Sequence, residues 1–272
     1  MCGVCGCDSE KLISTRGNNR VFNSIRSIES VHEHKGHSHA HEHKPAQRII
    51  DVEQAILHSN DRIADKNRAL FNQRGQLALN LVSSPGSGKT TLLTETLKLL
   101  KMGVDCAVIE GDQQTDNDAE RIRATNTPAI QVNTGKGCHL DAAMVAHAVE
   151  HLDFTGPGIV FIENVGNLVC PASFDLGEQY KVAILSVTEG EDKPLKYPYM
   201  FAESEYMIIN KIDLIDYVDF DIENCIQNAR SINPHIKVIQ LSATKHTGME
   251  AWLSILEEQL ATVSSSQKDV TI

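Results

Sequence analysis

An α/β fold, with a mostly parallel β-sheet flanked by helices, is predicted for this chain by three observations. The stretch Gln76–Leu93, QLALNLVSSPGSGKTTLL, starts apolar and β-prone, passes through Ser, Pro and Gly, and ends as a helix. Beyond it, short aliphatic runs alternate with segments of helical character, the order expected of strands joined by crossover helices. Several of those runs end in a carboxylate or amide, where the carboxyl ends of strands in open α/β sheets meet their ligands. The 272 residues, 41% hydrophobic, suffice for one large domain with appendages, and an aromatic content of 5% makes its core aliphatic.

Charge and cysteine usage narrow the function classes. A formal net charge of −11 argues against nucleic acid or an anionic membrane as the main partner. No apolar run approaches the roughly 18 residues of a membrane-spanning helix, and the N-terminus lacks an apolar signal region. A cytoplasmic protein is therefore expected. In that compartment the seven cysteines are thiolate ligands or core residues rather than structural disulfides.

Residues 1–48 read as a disordered, metal-binding arm. Cys2, Cys5 and Cys7 fall within the opening MCGVCGCD. Two thiolates separated by two residues hold one soft metal ion, and Cys7 adds a third donor. If Met1 is removed, the Cys2 amine is a further donor, and a thiolate–amine set suits square-planar Ni(II). The tract HEHKGHSHAHEHK then supplies six of the twelve histidines, His32, His34, His37, His39, His41 and His43. It cannot bury a core but presents many imidazoles to Zn, Ni or Cu.

Folded structure is expected over 49–262, with a flexible tail at 263–272. A helix over roughly 50–73 carries Val52, Ile56, Ile63 and Leu70 as an apolar stripe. The strand–loop–helix that follows is a phosphate-binding loop. Gly86, Ser87 and Gly88 let backbone amides approach an anion at a helix N-terminus, and Lys89, Thr90 and Thr91 open the helix. Lys89 reaches the β- and γ-phosphates and Thr90 ligates Mg²⁺; Ser83 stands where the general consensus has its first Gly. The helix continues over Thr91–Lys101, followed by a strand at Asp105–Ile109 ending in Glu110-Gly111-Asp112. Asp112 can hold Mg²⁺ through water or orient an attacking water. A helix over Asp118–Thr125 and a strand over Ala129–Asn133 come next.

Cys138 and His139 sit at a loop-to-helix junction, and Cys170 lies beyond the strand Gly158–Ile162 and the turn Glu163–Gly166. Both segments should leave the carboxyl ends of strands, so the three donors either converge within one chain or pair across a two-fold axis. Glu163-Asn-Val-Gly166 has the form of the D-x-x-G switch of GTPases with Glu in place of Asp; its acid reaches Mg²⁺ and the Gly166 amide can meet a γ-phosphate. After the strand Val182–Val187 comes a charged loop, Thr188–Pro198. The strand Glu205–Ile209 then leads to Asn210-Lys-Ile-Asp213. There Asp213 accepts from both N1–H and the exocyclic amine of guanine, a donor pair adenine lacks. Asn210 ties base to loop and Lys211 stacks on the ring. The strand Lys237–Leu241 runs into Ser242-Ala243-Thr244, whose Ala243 amide can meet guanine O6. A last helix, about Gly248–Leu260, carries Trp252 as a core residue, and the chain from Ala261 is expected to fray. Cys106 and Cys225 are read as small core residues.

Taken together, MCGVCGC, the His tract, SSPGSGKTT, EGDQQTDNDAERI, GKGCHLDA, ENVGNLVCP, NKID and SAT resemble the hydrogenase nickel-incorporation GTPases of the HypB family, over essentially the whole chain. Urease accessory GTPases share the nucleotide motifs but not the N-terminal Cys cluster. The resemblance implies a SIMIBI-class P-loop NTPase with a mostly parallel seven-stranded sheet that dimerises with GTP. It implies a tight nickel site at Cys2, Cys5 and Cys7 and a second Zn²⁺ or Ni²⁺ site at Cys138, His139 and Cys170 at the dimer interface. Partners implied are a zinc- and nickel-binding hydrogenase accessory protein and the hydrogenase large subunit. Lys89, Asp112 and Glu163 are the expected catalytic set, with GTP or GDP and Mg²⁺ as cofactors. Three competing functions remain at this stage: a nickel store with incidental GTPase activity, a urease-type accessory GTPase, and a P-loop kinase, against which NKID and SAT argue.

Overall fold

The computed structural model describes residues 45–100, 103–112, 117–135 and 137–268. The chain divides into two compact units, 1–55 and 56–272. The Cys2, Cys5, Cys7 cluster and the histidine tract lie outside the described residues.

Seven strands form one parallel sheet. In chain order they are β1 (Gln76–Ser83), β2 (Cys106–Asp112), β3 (Ala129–Asn133), β4 (Gly158–Glu163), β5 (Tyr180–Ser186), β6 (Tyr206–Asn210) and β7 (Lys237–Gln240). Their spatial order is β3-β2-β4-β1-β5-β6-β7, and every pairing is parallel. β1, β4 and β6 are buried along their whole length. That accounts for their near-continuous aliphatic runs, since a parallel sheet is covered on both faces. β1 sits between β4 and β5, so the chain reverses direction across the sheet there, and the phosphate-binding loop leaves the carboxyl end of that strand.

The helices are α1 (Pro45–Arg74), α2 (Lys89–Leu100), α3 (Asn117–Arg123), α4 (Ala142–His151), α5 (Lys193–Lys196), α6 (Pro198–Ala202), α7 (Ile222–Ile232) and α8 (Met249–Lys268). One face of the sheet packs Leu77, Leu79, Leu81 and Phe161 against Leu92, Leu93 and Leu97 of α2 and Trp252 and Leu256 of α8. The Trp252 indole also donates to Thr96 Oγ1 at 3.1 Å, so it is core, as expected. On the other face, Phe71 of α1 and Val145 and Val149 of α4 cover Ala78, Ala107 and Ile109.

Four expectations shift. The buried face of α1 is Asn60, Ala64, Asn67 and Phe71, while Val52 and Ile56 are exposed. The reason is the loops it covers. Asn60 and Asn67 satisfy the backbone of Ala142 from both sides, Asn60 Oδ1 accepting from Ala142 N at 2.9 Å and Asn67 Nδ2 donating to its carbonyl at 2.9 Å. The charged loop at 188–198 contains α5 and the start of α6, because Pro194 and Pro198 stand in the first turn of each, where proline costs no hydrogen bond. β2 extends through Asp112 rather than ending at Ile109. α8 runs on to Lys268 instead of fraying from Ala261, since Leu260 and Val263 continue the stripe of Leu256 against the sheet.

Candidate nucleotide and metal centre

The phosphate-binding loop is held from two distant strands. Gly86 and Gly88 have φ of 80° and 89°, values that favour glycine. At Gly88 a Cβ would lie 2.7 Å from Asn210 Nδ2, so the closeness of β6 to the loop itself requires glycine. Asn210 Nδ2 donates to Ser87 O at 3.0 Å, and Lys211 Nζ donates to Gly86 O at 2.7 Å. Asn210 Oδ1 accepts from Lys211 N at 2.8 Å and from Ala243 N at 3.2 Å. The N-K-x-D and S-A-T segments thus meet the loop in one hydrogen-bonded cluster. Lys211 and Ala243 differ from expectation in one respect: the ammonium braces Gly86 and the amide serves Asn210. Ser242 ends the β7 turn, its hydroxyl accepting from Lys245 N at 3.2 Å. Asp213 Oδ1 is buried without a hydrogen-bond partner, an orphaned acceptor where the sequence expects guanine's paired donors.

At the other end of the loop, Glu163 terminates β4 beside β1, opposite Leu81. Its Oε1 accepts from Lys89 Nζ at 2.8 Å and from Thr90 Oγ1 at 2.5 Å. Glu163 Oε2 is buried with no partner. A hydroxyl and a carboxylate with a spare oxygen form an oxygen donor set that fits Mg²⁺. Asp112 closes β2 opposite Asn133, and its side chain lies outside the described residues. The Thr91 hydroxyl accepts from Arg121 Nη2 at 3.3 Å. Gly166 packs against Pro85, where a Cβ would approach within 3.2 Å, so the Glu163–Gly166 turn abuts the phosphate loop.

Cys138, His139 and Cys170 converge within one chain. Their ligand atoms lie within 4.8 Å of one another, with Cys138 Sγ 2.8 Å from Cys170 Sγ and 3.6 Å from His139 Nδ1. All are free of disulfides or neutral enough to ligate: both cysteines are reduced, and burial holds His139 below the usual imidazole range against the pull of Asp141. His139 also packs on the Phe174 ring, centroids 4.1 Å apart. Two sulfurs and one imidazole are the donor set of a thiophilic borderline cation, Zn²⁺ or Ni²⁺. By contrast, burial pushes the Cys106 and Cys225 thiols up to about 12, which keeps them protonated; Cys225 is a core residue, as the sequence indicated, while Cys106 is half-buried at the core's edge.

Sequence reasoning missed the amides that connect the two centres. Asn164 Oδ1 accepts from Leu140 N at 3.1 Å, next to His139, and Asn167 Nδ2 donates to Cys138 O at 3.3 Å. Asn164 Nδ2 also reaches Asn80 Oδ1 at 3.3 Å, and Asn80 Nδ2 donates to Glu178 Oε1 at 3.0 Å. Lys181 lies 4.0 Å from that carboxylate and donates to Pro171 O and Ala172 O, both at 3.1 Å, which fixes the turn opening at Cys170. Desolvation by burial raises the Glu178 pKa, with the Lys181 charge opposing. Gly111 is glycine because Leu140 caps it, 2.7 Å from where a Cβ would stand. The only sequence signal for the amides was the asparagine pair flanking Gly166 in ENVGN.

A family model described as "CobW/HypB/UreG, nucleotide-binding domain" matches residues 77–240. The hydrogenase maturation factor HypB of Escherichia coli K12 is 64% identical over 229 residues, which is 83% of this chain and 79% of that protein. A probable HypB of Methanocaldococcus jannaschii is 40% identical over 79% of this chain and 97% of its own length. Among solved structures, HypB from Helicobacter pylori in complex with nickel superimposes with a TM-score of 0.72 at 36% identity, covering 75% of this chain and 96% of that one. HypB from Archaeoglobus fulgidus gives 0.70 at 38% identity, covering 75% and 99%.

Proposed function

The chain belongs to the CobW/HypB/UreG family of P-loop GTPases, among the HypB hydrogenase maturation factors, and from that premise we propose that it is a GTP-hydrolysing nickel metallochaperone that helps insert nickel into nickel–iron hydrogenase. The reading divides the chain into a metal-binding arm at 1–48, a GTPase domain at 49–262 and a short tail at 263–272. It works in the cytoplasm. No helix among the described residues is long and apolar enough to cross a membrane.

In this mechanism Lys89 and the loop amides bind the β- and γ-phosphates and stabilise charge on the transferring phosphoryl group. Thr90, Glu163 and Asp112 would hold Mg²⁺, which supplies further charge neutralisation when bound. Asp112 orients the attacking water, and Asp213 selects guanine. A γ-phosphate competes with Glu163 for the Lys89 ammonium. Releasing that buried ion pair, with side-chain exposures of 11% and 1%, frees the turn to move toward the phosphate. Four residues beyond Gly166, the same segment carries Cys170, and Asn167 holds the Cys138 carbonyl.

The observation that carries the proposal is this continuity: Glu163–Cys170 touches the phosphate loop at one end and the sulfur ligands at the other. Nucleotide state then sets metal affinity, and metal sets nucleotide affinity by the same factor. The cluster hands nickel onward with the help of a zinc- and nickel-binding accessory protein, toward the hydrogenase large subunit. A GTP-linked homodimer supplies the remaining coordination, and Zn²⁺ is the competing occupant.

The test uses the full chain with Cys2, Cys5 and Cys7 replaced by Ser. Thiolate-to-nickel charge-transfer absorption then reports only Cys138 and Cys170, since Cys106 and Cys225 stay protonated. Nickel affinity should differ by about 5- to 150-fold between GDP and a non-hydrolysable GTP analogue. Equal affinities reject the coupling. The six-histidine tract favours a second reading, a nickel store. Deleting 32–43 separates the two: a store loses its function, whereas a delivery GTPase still matures hydrogenase when nickel is ample.

A further inference from the structure

A second set of metal donors lies on α4, and no part of the mechanism above uses it. Val145, Ala148 and Val149 bury one face of this helix against the sheet. His147, Glu150 and His151 project from the opposite side and are all exposed. Their ligand atoms lie within 4.8 Å of one another. We propose that these three side chains form a surface site for a borderline divalent cation, Ni²⁺ or Zn²⁺, distinct from the Cys138, His139, Cys170 centre.

Helix geometry supplies the first part of the case. Residues four apart stand one above the other on a helix, so His147 and His151 form a chelating pair without any loop to order. The order H-x-x-E-H, here His147-Ala-Val-Glu-His151, is the one in which a single helix offers two imidazoles to zinc in a class of metallopeptidases. Side-chain exposures of 76% for His147 and 73% for Glu150 show an open face, so the geometry assigns cation binding and not peptide hydrolysis.

The rings are also oriented for it. His151 Nδ1 lies 2.9 Å from the His147 carbonyl oxygen. A carbonyl only accepts, so Nδ1 carries the proton and Nε2 keeps its lone pair, the arrangement in which a ligating histidine is fixed by its other nitrogen. His147 Nδ1 and Glu150 Oε2 stand 3.9 Å apart. That gap is too wide for a hydrogen bond, and a small rotation of either exposed side chain brings both atoms within about 2.0–2.2 Å of one ion. The two rings contact edge to face with centroids 4.4 Å apart. Exposed helical histidines are commonly just solvated. What separates this pair is the combination of a lone pair fixed on His151 Nε2, two rings four residues apart and a carboxylate within reach of both.

The set contains no thiolate, so its hold on the cation is weaker and faster to exchange than that of the sulfur cluster. Asp141, the N-cap of α4, follows His139 by two residues and accepts from Met144 N at 2.8 Å. His147 and His151 therefore stand roughly 9 Å and 15 Å along the helix axis from that cap. One rigid helix thus carries an exchangeable site at one end and leads into a sulfur site at the other.

Residue-resolved carbethoxylation of the wild-type full chain, read by peptide mass spectrometry with and without a small excess of NiCl₂, tests the proposal. Nickel should protect His147 and His151 together, while His235, an exposed histidine before β7, reacts at an unchanged rate. In His147→Gln, protection of His151 should be lost; made in the chain with Cys2, Cys5 and Cys7 replaced by Ser, the same substitution should leave the thiolate-to-nickel absorption of Cys138 and Cys170 unchanged. Equal modification of His147 and His151 with and without nickel would overturn the site. Protection of His151 that survives His147→Gln would do so too, because it would show that the two rings do not share an ion.

Discussion

The guanine side and the sulfur side of this molecule are built on opposite principles. Around the base and phosphate loop, contacts come from three separated strands and leave no slack. Asn210 alone binds Ser87, Lys211 and Ala243, and Gly88 has no room for a methyl group. Around Cys138 and Cys170 the donors ride on a loop and a short turn, the loop met by the amides of Asn164 and Asn167 and the turn by the Lys181 ammonium. Discriminating one purine from another requires geometry set before the ligand arrives, because selectivity comes from leaving the wrong base's partner unpaired. Releasing a metal requires donors that can separate. On the function proposed above, that difference lets one fold be exact about nucleotide and yielding about nickel.

The largest break in that comparison is Gly88→Ala. The substitution forces a side chain into positive φ and into the Asn210 amide at once, so it should cost about 3 kcal/mol or more of nucleotide binding, over a hundredfold. Isothermal titration with GDP reads it. An affinity within a few-fold of wild type would mean that the loop is not clamped as described. Next comes Asp213→Asn. Its buried Oδ1 has no other partner, so GTP should weaken by about 1–3 kcal/mol while xanthosine triphosphate gains. An unchanged preference removes Asp213 from base recognition.

On the other side, Cys170→Ser should abolish the thiolate-to-nickel absorption of the arm-silenced chain and leave GDP affinity within about twofold, since no hydrogen bond of the guanine clamp passes through Cys170. A matching loss of GDP binding would show that the two halves are not separable.

These outcomes also measure what the sequence made legible. The nucleotide residues could be read because their chemistry demands contiguous residues at set spacing, and Lys89, Thr90, Asn210 and Asp213 fall where one polypeptide segment fixes them. The strands could be read because burial on both faces leaves aliphatic runs. The convergence of Cys138, His139 and Cys170 was open between one chain and two; in the order β3-β2-β4 only one strand separates the exits of β3 and β4, which leave the same end of a parallel sheet, and the three ligand atoms meet within one chain. What stayed hidden was long-range and polar. Asn60 and Asn67 look like solvent residues on a helix until the unpaired backbone of Ala142 lies beside them. Asn80 and Lys181 interrupt apolar strands for a reason visible only when Glu178 and the Cys170 turn are in place. Local pattern records burial and turn chemistry well; it records the partners of buried amides hardly at all.

The smallest expected effect is the most informative about the link between the halves. Asn167 Nδ2 donates to the Cys138 carbonyl at 3.3 Å, and its Oδ1 accepts from Val169 N at 2.9 Å. It touches neither the phosphate loop nor a sulfur atom in these contacts. Asn167→Ala should therefore lower stability by only about 0.5–1.5 kcal/mol, with GDP affinity and nickel absorption both retained. What should fall is the ratio of nickel affinities between the GDP and GTP-analogue states, because the turn that responds to phosphate would no longer grip the Cys138 strand exit. A ratio equal to wild type would route the coupling instead through Asn164, Asn80 and the buried Lys181, where Asn164→Ala becomes the variant that collapses it.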